Sequence, residues 1–302
     1  MPPPLPSSEN REKQAVALTS LLAAVGLTAF KIVIGVLTGS LGILAEAAHS
    51  GLDLMASGMT LVAVRLSARP PDRTHLYGHG KFENLSALFE TLLLLLTCAW
   101  VVWEACHRLI EHRTVVQVTA WSFAVMLTSI AVDVSRSRSL GRTAKKYNSQ
   151  ALEADALHFQ TDVWTSAVVI LGLLSVKAAQ WFPPAAILRN GDAVAALGVS
   201  ALVVWVSVQL GRRTIDALMD HAPSGMEERI AGVVAAVPGV IDCHNLRIRY
   251  SGPRLFIDLH VLVDGGQTLA QAHRLTEVVE GAIQAIAPGA DVTVHPEPYE
   301  AE

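Results

Sequence analysis

Long apolar stretches follow one another along the first two thirds of the chain. They run roughly from Ala15 to Leu37, Leu41 to Leu66, Leu85 to Leu109, Val115 to Val134, Leu152 to Val176 and Ala193 to Leu210. A bilayer core about 30 Å thick needs about 20 helical residues at a rise of about 1.5 Å each, so the pattern predicts six transmembrane helices. Val115 to Val132 and Ala193 to Gly211 contain no charged residue, whereas the second and fifth stretches are interrupted by His and carboxylate. After Pro223 the pattern shortens. Met226 to Ala236 reads as a helix ended by Pro238 and Gly239, and Ile241 to Tyr250 and Leu255 to Val263 alternate as strands joined through Ser251, Gly252 and Pro253. Leu269 to Ile286 has helical periodicity, and Asp291 to His295 closes as a third strand. The expected fold class is therefore an α-helical membrane protein of six spans with a C-terminal α+β domain in αββαβ order. Its expected divisions are an N-terminal tail over 1–14, a membrane domain over 15–213, a linker over 214–222 and a terminal domain over 223–302.

Lys and Arg near the span ends set the orientation. With the N-terminus inside, thirteen of them fall on the cytoplasmic side, Arg11 to Arg213, against Arg108, Arg113, Lys177 and Arg189 opposite, with Lys31 inside the first span. Both termini are expected in the cytoplasm. Met1 to Gln14 is Pro-rich and polar, without the basic-then-apolar order of a cleaved leader.

Composition supports a membrane chain: 51% of the 302 residues are hydrophobic and 17% charged. Charge is uneven, with 11 acidic and 5 basic residues from 223 onward. An acidic tail argues against nucleic acid and toward cations. Cys98, Cys106 and Cys243 match no disulfide framework and no CxxC pair.

The interruptions carry the chemistry. His49 and Asp53 in the second stretch, and His158 and Asp162 in the fifth, each lie four residues apart, so each pair shares one helical face. Brought together, two imidazoles and two carboxylates suit tetrahedral Zn²⁺. Paired interhelical hydrogen bonds are the plainer explanation of such residues. Against it, an Asp at mid-bilayer costs about 2.5 to 3.5 kcal/mol even on the lenient scale, and a divalent cation compensates two of them at once. The donor set also admits Cd²⁺ and Co²⁺, while an all-carboxylate set would move toward Mn²⁺. A second cluster, Asp72, His75 and His79, lies in the loop after the second stretch and offers three ligands with an open position. The tail adds His244, His260, His273, His295 and Glu297, a plausible metal sensor. Glu46 and Asp155 stand three residues before His49 and His158 as flanking polar groups, and Asp133 and Glu90 read as interfacial or interhelical polar contacts rather than ligands.

The chain resembles the cation diffusion facilitators, exporters of zinc and related divalent metals. The resemblance rests on Ala47-Ala-His49-Ser-Gly-Leu-Asp53, Tyr77-Gly-His79-Gly-Lys81-Phe-Glu83, Glu153-Ala-Asp155-Ala-Leu-His158-Phe-Gln-Thr-Asp162 and Leu246-Arg-Ile-Arg-Tyr-Ser-Gly252-Pro253. It implies that His49, Asp53, His158 and Asp162 form the transport site, that the loop cluster is a second site, and that the tail is a ferredoxin-like domain dimerising around structural or regulatory zinc. By the same resemblance His244, His260, His273, His295 and Glu297 are the tail ligands, Glu297 standing where relatives have Asp. Lys81 and Asp220 match a charge pair that joins the two halves of a homodimer. A bacterial inner membrane is the implied location. Relatives with Asp where this chain has His49 handle a broader range of metals including iron, so His49 favours zinc.

No nucleotide site is visible, because Gly78-His-Gly-Lys81 is too short for a P-loop. Transport is therefore expected to be secondary. Metal binding needs neutral His and ionised Asp, and imidazole titrates near pH 6.5 in water, so protons compete for the same four groups. Secondary efflux of Zn²⁺ in exchange for protons is the expected function, with no organic cofactor. A membrane-anchored metal sensor is the alternative, and an intramembrane metallohydrolase is disfavoured by the absence of HExxH.

Overall fold

The computed structural model describes residues 7–111, 120–179 and 191–299. Six long helices come first: α1 Ser7–Thr38, α2 Leu41–Ser67, α3 Lys81–Glu111, α4 Ala120–Tyr147, α5 Gln150–Ala179 and α6 Gly191–Leu218. The six expected stretches all lie on helices, although the start of the fourth, 115–119, is outside the described residues. Most helices outrun the apolar stretch that announced them. α4 continues past Val134 through Arg136 and Arg138 to a last turn holding Lys145 and Lys146, where cations oppose the negative end of the helix dipole. Among the described residues, Ser8–Thr38 and Lys81–Trp103 are long and apolar enough to cross a bilayer. The polar insertions in α2 and α5 lower the apolarity that such a test measures.

The helices pack as pairs, α1 with α2, α3 with α6 and α4 with α5, and α5 also touches α2, α3 and α6. Small residues let α1, α2, α4 and α5 approach: Ala17, Ala144, Ala151 and Ala156 are buried with Leu61, Val64, Leu140, Leu152 and Phe159. Leu37, Leu96, Trp100 and Trp205 stay exposed on the outside, an apolar belt that lipid would cover.

At the end nearest the tail domain, Glu83 ties four segments together. Its carboxylate accepts from Lys13 Nζ of α1 at 3.0 Å and from Ser67 Oγ of α2 at 2.7 Å, and Ser149 Oγ, just before α5, donates to its other oxygen. Lys13 and Glu83 are both fully buried.

The tail is α7 Met226–Ala235, β1 Asp242–Ser251, β2 Arg254–Asp264, α8 Leu269–Ile286 and β3 Asp291–Tyr299, the expected αββαβ order. β2 is central, antiparallel to β1 and parallel to β3. Ile230 and Val234 of α7 and Val279 and Ile283 of α8 pack with Ile248, Ile257, Leu259 and Val261 of the sheet. α8 starts on a capping box in which Thr268 and Gln271 satisfy each other's backbone N–H groups. β3 runs four residues past His295, through Pro296 and Pro298, which read as breakers. They are tolerated because β3 is an edge strand paired on one side only.

The expected linker over 214–222 is helical through Leu218. The hairpin tip between β1 and β2 lies against the start of α3. A side chain at Gly80 or Gly252 would collide with the backbone of the other segment, and Gly252 has φ +60°. Asn84 Oδ1 accepts from Gly252 N at 2.9 Å, while Asn84 Nδ2 donates to Gln150 Oε1 at 2.8 Å. Lys81 and Asp220, expected as a pair across a dimer, meet already within one chain. Lys81 Nζ donates to Asp220 Oδ1 at 2.9 Å, and Arg249 of β1 reaches the other oxygen at 3.4 Å.

Candidate metal centre

Helical spacing places Asp53 of α2 beside His158 and Asp162 of α5. His158 Nε2 is 3.1 Å from Asp53 Oδ1 and 3.7 Å from Asp162 Oδ2, and one donor atom from each residue lies within 4.8 Å of the others. His49 stands at the edge, its Nε2 3.9 Å from Asp53 Oδ1 and its side chain 41% exposed. Metal–ligand bonds of 2.0–2.2 Å arranged tetrahedrally put donors about 3.4 Å apart. The observed separations bracket that value, so small side-chain movements would bring these donors onto one ion. His158 Nε2 and Asp53 Oδ1 lie at hydrogen-bond distance, with the imidazole as donor when Nε2 carries the proton. His158 Nδ1 is buried and has no hydrogen-bond partner among the described residues.

A polar layer lies one turn along both helices. Asp155, fully buried on α5, accepts from Ser57 Oγ of α2 at 3.4 Å. Arg136 of α4 donates from Nη2 to the same Ser57 oxygen at 2.8 Å and from Nε to Ser20 of α1 at 3.1 Å, and lies 3.4 Å over the Phe159 ring. Thr60 donates to Glu90, an interhelical contact of the kind the sequence suggests. Asp133 instead contacts Arg136 on its own helix α4, at 3.4 Å. Glu46 faces Lys31, whose ammonium is 3.3 Å from it and donates to Ser50 Oγ at 2.8 Å. Glu46 and Asp155 are thus held by protein partners. Arg136 is the residue that sequence reasoning missed: it counts as one more basic residue after the fourth span, and only the packing shows it turned inward and 5% exposed.

The loop cluster also assembles. Asp72 Oδ1 accepts from the N–H groups of Thr74 and His75 at 2.8 and 2.7 Å and from Thr74 Oγ1 at 2.8 Å. These bonds, the His75 N–H above all, hold the Asp72 carboxyl well below its usual range. His75 Nδ1 lies 3.4 Å from Oδ1 and His79 Nε2 3.3 Å from Oδ2.

In the tail, register does the work. His244 opposes His260 across β1 and β2, and His260 opposes His295 across β2 and β3. Glu297, two residues beyond His295 on the same face of β3, reaches His260 Nδ1 at 2.8 Å, His244 Nε2 at 3.1 Å and His295 Nε2 at 3.8 Å. The His260 contact leads the effects that lower the Glu297 carboxyl. His273 is not brought to this group; on α8 it lies 3.7 Å from Glu277.

A helical bundle with an apolar outside and convergent imidazole and carboxylate groups inside, followed by a small α+β domain, is the architecture of a membrane transporter for metal cations. Two family models match in tandem: "Cation efflux transmembrane domain" over residues 17–219 and "Cation efflux protein, cytoplasmic domain" over 222–299. The chain belongs to the cation efflux family, the cation diffusion facilitators, and is a metal-exporting membrane protein. It is similar to the cation-efflux pump FieF of Cronobacter sakazakii, 34% identical over 287 residues that cover 93% of this chain and 91% of that protein. The FieF pump of Yersinia enterocolitica is 33% identical over 288 residues, covering 94% and 92%. Among solved structures, a nickel form of a MamM C-terminal-domain variant is 29% identical, covering 26% of this chain and 100% of that one at a TM-score of 0.25.

Proposed function

We propose that the protein exports Zn²⁺ from the cytoplasm in exchange for protons, with six spans and both termini in the cytoplasm of a bacterial inner membrane. The observation that carries this reading is the hydrogen bond between His158 Nε2 and Asp53 Oδ1 at 3.1 Å. Nε2 can hold a proton or bind metal but not both, so in this proposal a cation enters as a proton leaves. Zn²⁺ fits the mixed donor set better than Mn²⁺, with Cd²⁺, Co²⁺ and Fe²⁺ as lesser substrates.

The loop cluster at Asp72, His75 and His79 is proposed as a second site on the cytoplasmic side. Its three donors leave coordination open, as suits transient capture. The tail set His244, His260, His295 and Glu297 is proposed to hold a resident Zn²⁺. The donors suit it in chemistry and spacing, and bound metal there would cross-link all three strands. His273 belongs to this site only if a second copy supplies it; the match of the tail to the family's cytoplasmic domain is what supports a homodimer. Lys81 and Asp220 then brace the junction between membrane domain and tail from within each chain.

Zn²⁺ uptake into inverted vesicles tests the exchange. Acidifying the vesicle interior, the side that corresponds to the periplasm, is expected to raise the initial rate several-fold over vesicles without a gradient. Rates indifferent to the gradient would reject proton exchange while leaving metal transport standing.

A further inference from the structure

A groove of about 510 Å³ runs between the outer faces of α4 and α5. On its α4 side stand Arg138, Arg142 and Lys145, and on its α5 side Leu157, Val163 and Trp164. The basic residues are spaced by four and three, so they share one helical face over about 10 Å near the α4 terminus. All three are exposed, and none has an ion-pair or hydrogen-bond partner among the described residues. Glu153 also lines the groove but is engaged by Arg213 of α6 at 2.8 Å, so it does not cancel their charge. Val163 and Trp164 lie about 20 Å along α5 from its first residue, which puts them within the hydrocarbon of the leaflet nearest the tail if α5 begins at the membrane surface.

We propose that this groove binds an anionic phospholipid of that leaflet. Its phosphate sits among Arg138, Arg142 and Lys145, and an acyl chain lies along Leu157, Val163 and Trp164. A free phosphate would use only the rim and leave the apolar part unfilled. Three unpaired cations at one end of the groove, with Leu157, Val163 and Trp164 beyond them and Gln160 the polar residue between, match a molecule that carries its negative charge at one end. The proposal rests on the membrane orientation given above, but not on which metal is moved or on what drives it.

Native mass spectrometry of the delipidated full-length protein, titrated with phosphatidylglycerol or phosphatidylcholine, tests it. The parent is expected to bind the first phosphatidylglycerol at least about tenfold more tightly than phosphatidylcholine. The triple variant R138Q/R142Q/K145Q should lose about that factor, and Arg142→Gln alone a smaller part of it, consistent with roughly additive attraction per charge. Zinc stoichiometry should be unchanged in both variants, which reports an intact fold. Equal binding of the two lipids by the parent, or undiminished phosphatidylglycerol binding by the triple variant, would overturn the proposal. Displacement of the lipid by inorganic phosphate at comparable concentration would also overturn it, in favour of a soluble-anion site. Lipid selectivity in a protein without zinc flux would retain the groove and reject the transport reading; flux without selectivity would do the reverse.

Discussion

Asp162→Ala is expected to abolish Zn²⁺ flux in reconstituted vesicles, with a fall of at least about 100-fold. Loss of a group that merely orients a ligand commonly costs about 10- to 100-fold in metal affinity or activity, and Asp162 is proposed as a ligand itself. Its carboxylate is 3.7 Å from His158 Nε2, and both belong to the three-residue donor group with Asp53. Without it the remaining donors are His158, Asp53 and the more exposed His49. Cd²⁺, Fe²⁺ and Mn²⁺ assayed beside Zn²⁺ should all be lost, because the change removes a shared donor rather than a selective one. Zinc held by the tail of the same variant should persist, since Glu297 and its three His are far along the chain and on another domain. Retention of more than about a tenth of parental flux would show that the ion takes another route, since ligand loss should cost more.

Glu83→Ala is expected to be the most destabilising single change in the bundle. The substitution strands the Lys13 ammonium, fully buried and held by Glu83 at 3.0 Å, and removes the acceptor of Ser67 and Ser149. Breaking a buried pair from one side costs about 3–5 kcal/mol. For a domain of this size that corresponds to a fall in Tm on the order of 10 °C. Lys13 retains Glu9 as a neighbour at 3.6 Å, which offsets part of the loss. Glu83→Gln keeps an acceptor and should fall between parent and Ala. Thermal melting followed by circular dichroism in detergent measures it, and a Tm within a degree or two of the parent would show that the four-segment tie contributes little.

Features written in local periodicity were legible from the chain. His49 with Asp53 and His158 with Asp162 announced themselves because a spacing of four has one meaning on a helix. α8 was readable to its end residues from the helical repeat of its apolar positions. The αββαβ order followed from alternation and the Ser251-Gly252-Pro253 turn. What escaped is non-local. Lys13 and Glu83 are 70 residues apart, and nothing near either one says that they meet. Arg136 looked like a solvated charge at a span end because only the packing of α1, α2, α4 and α5 turns it inward. The continuation of β3 past His295 was hidden by Pro296 and Pro298, whose effect depends on whether a strand lies at the sheet edge. His273, grouped with the other tail ligands by resemblance, lies within one chain on α8 near Glu277, and periodicity alone does not tell which copy it would serve. Hydropathy alone also understates α2 and α5, because the residues proposed to bind the substrate are those that make the helices less apolar.

The central claim is that α2 and α5 hold one metal ion between them within the membrane. Anomalous scattering at the zinc edge from crystals of the full chain grown with Zn²⁺ tests it most directly. The account predicts a peak about 2.0–2.2 Å from Asp53, His158 Nε2 and Asp162, with His49 rotated in as the fourth donor. Zinc found only at the loop and tail clusters, with His158 still hydrogen-bonded to Asp53, would contradict it.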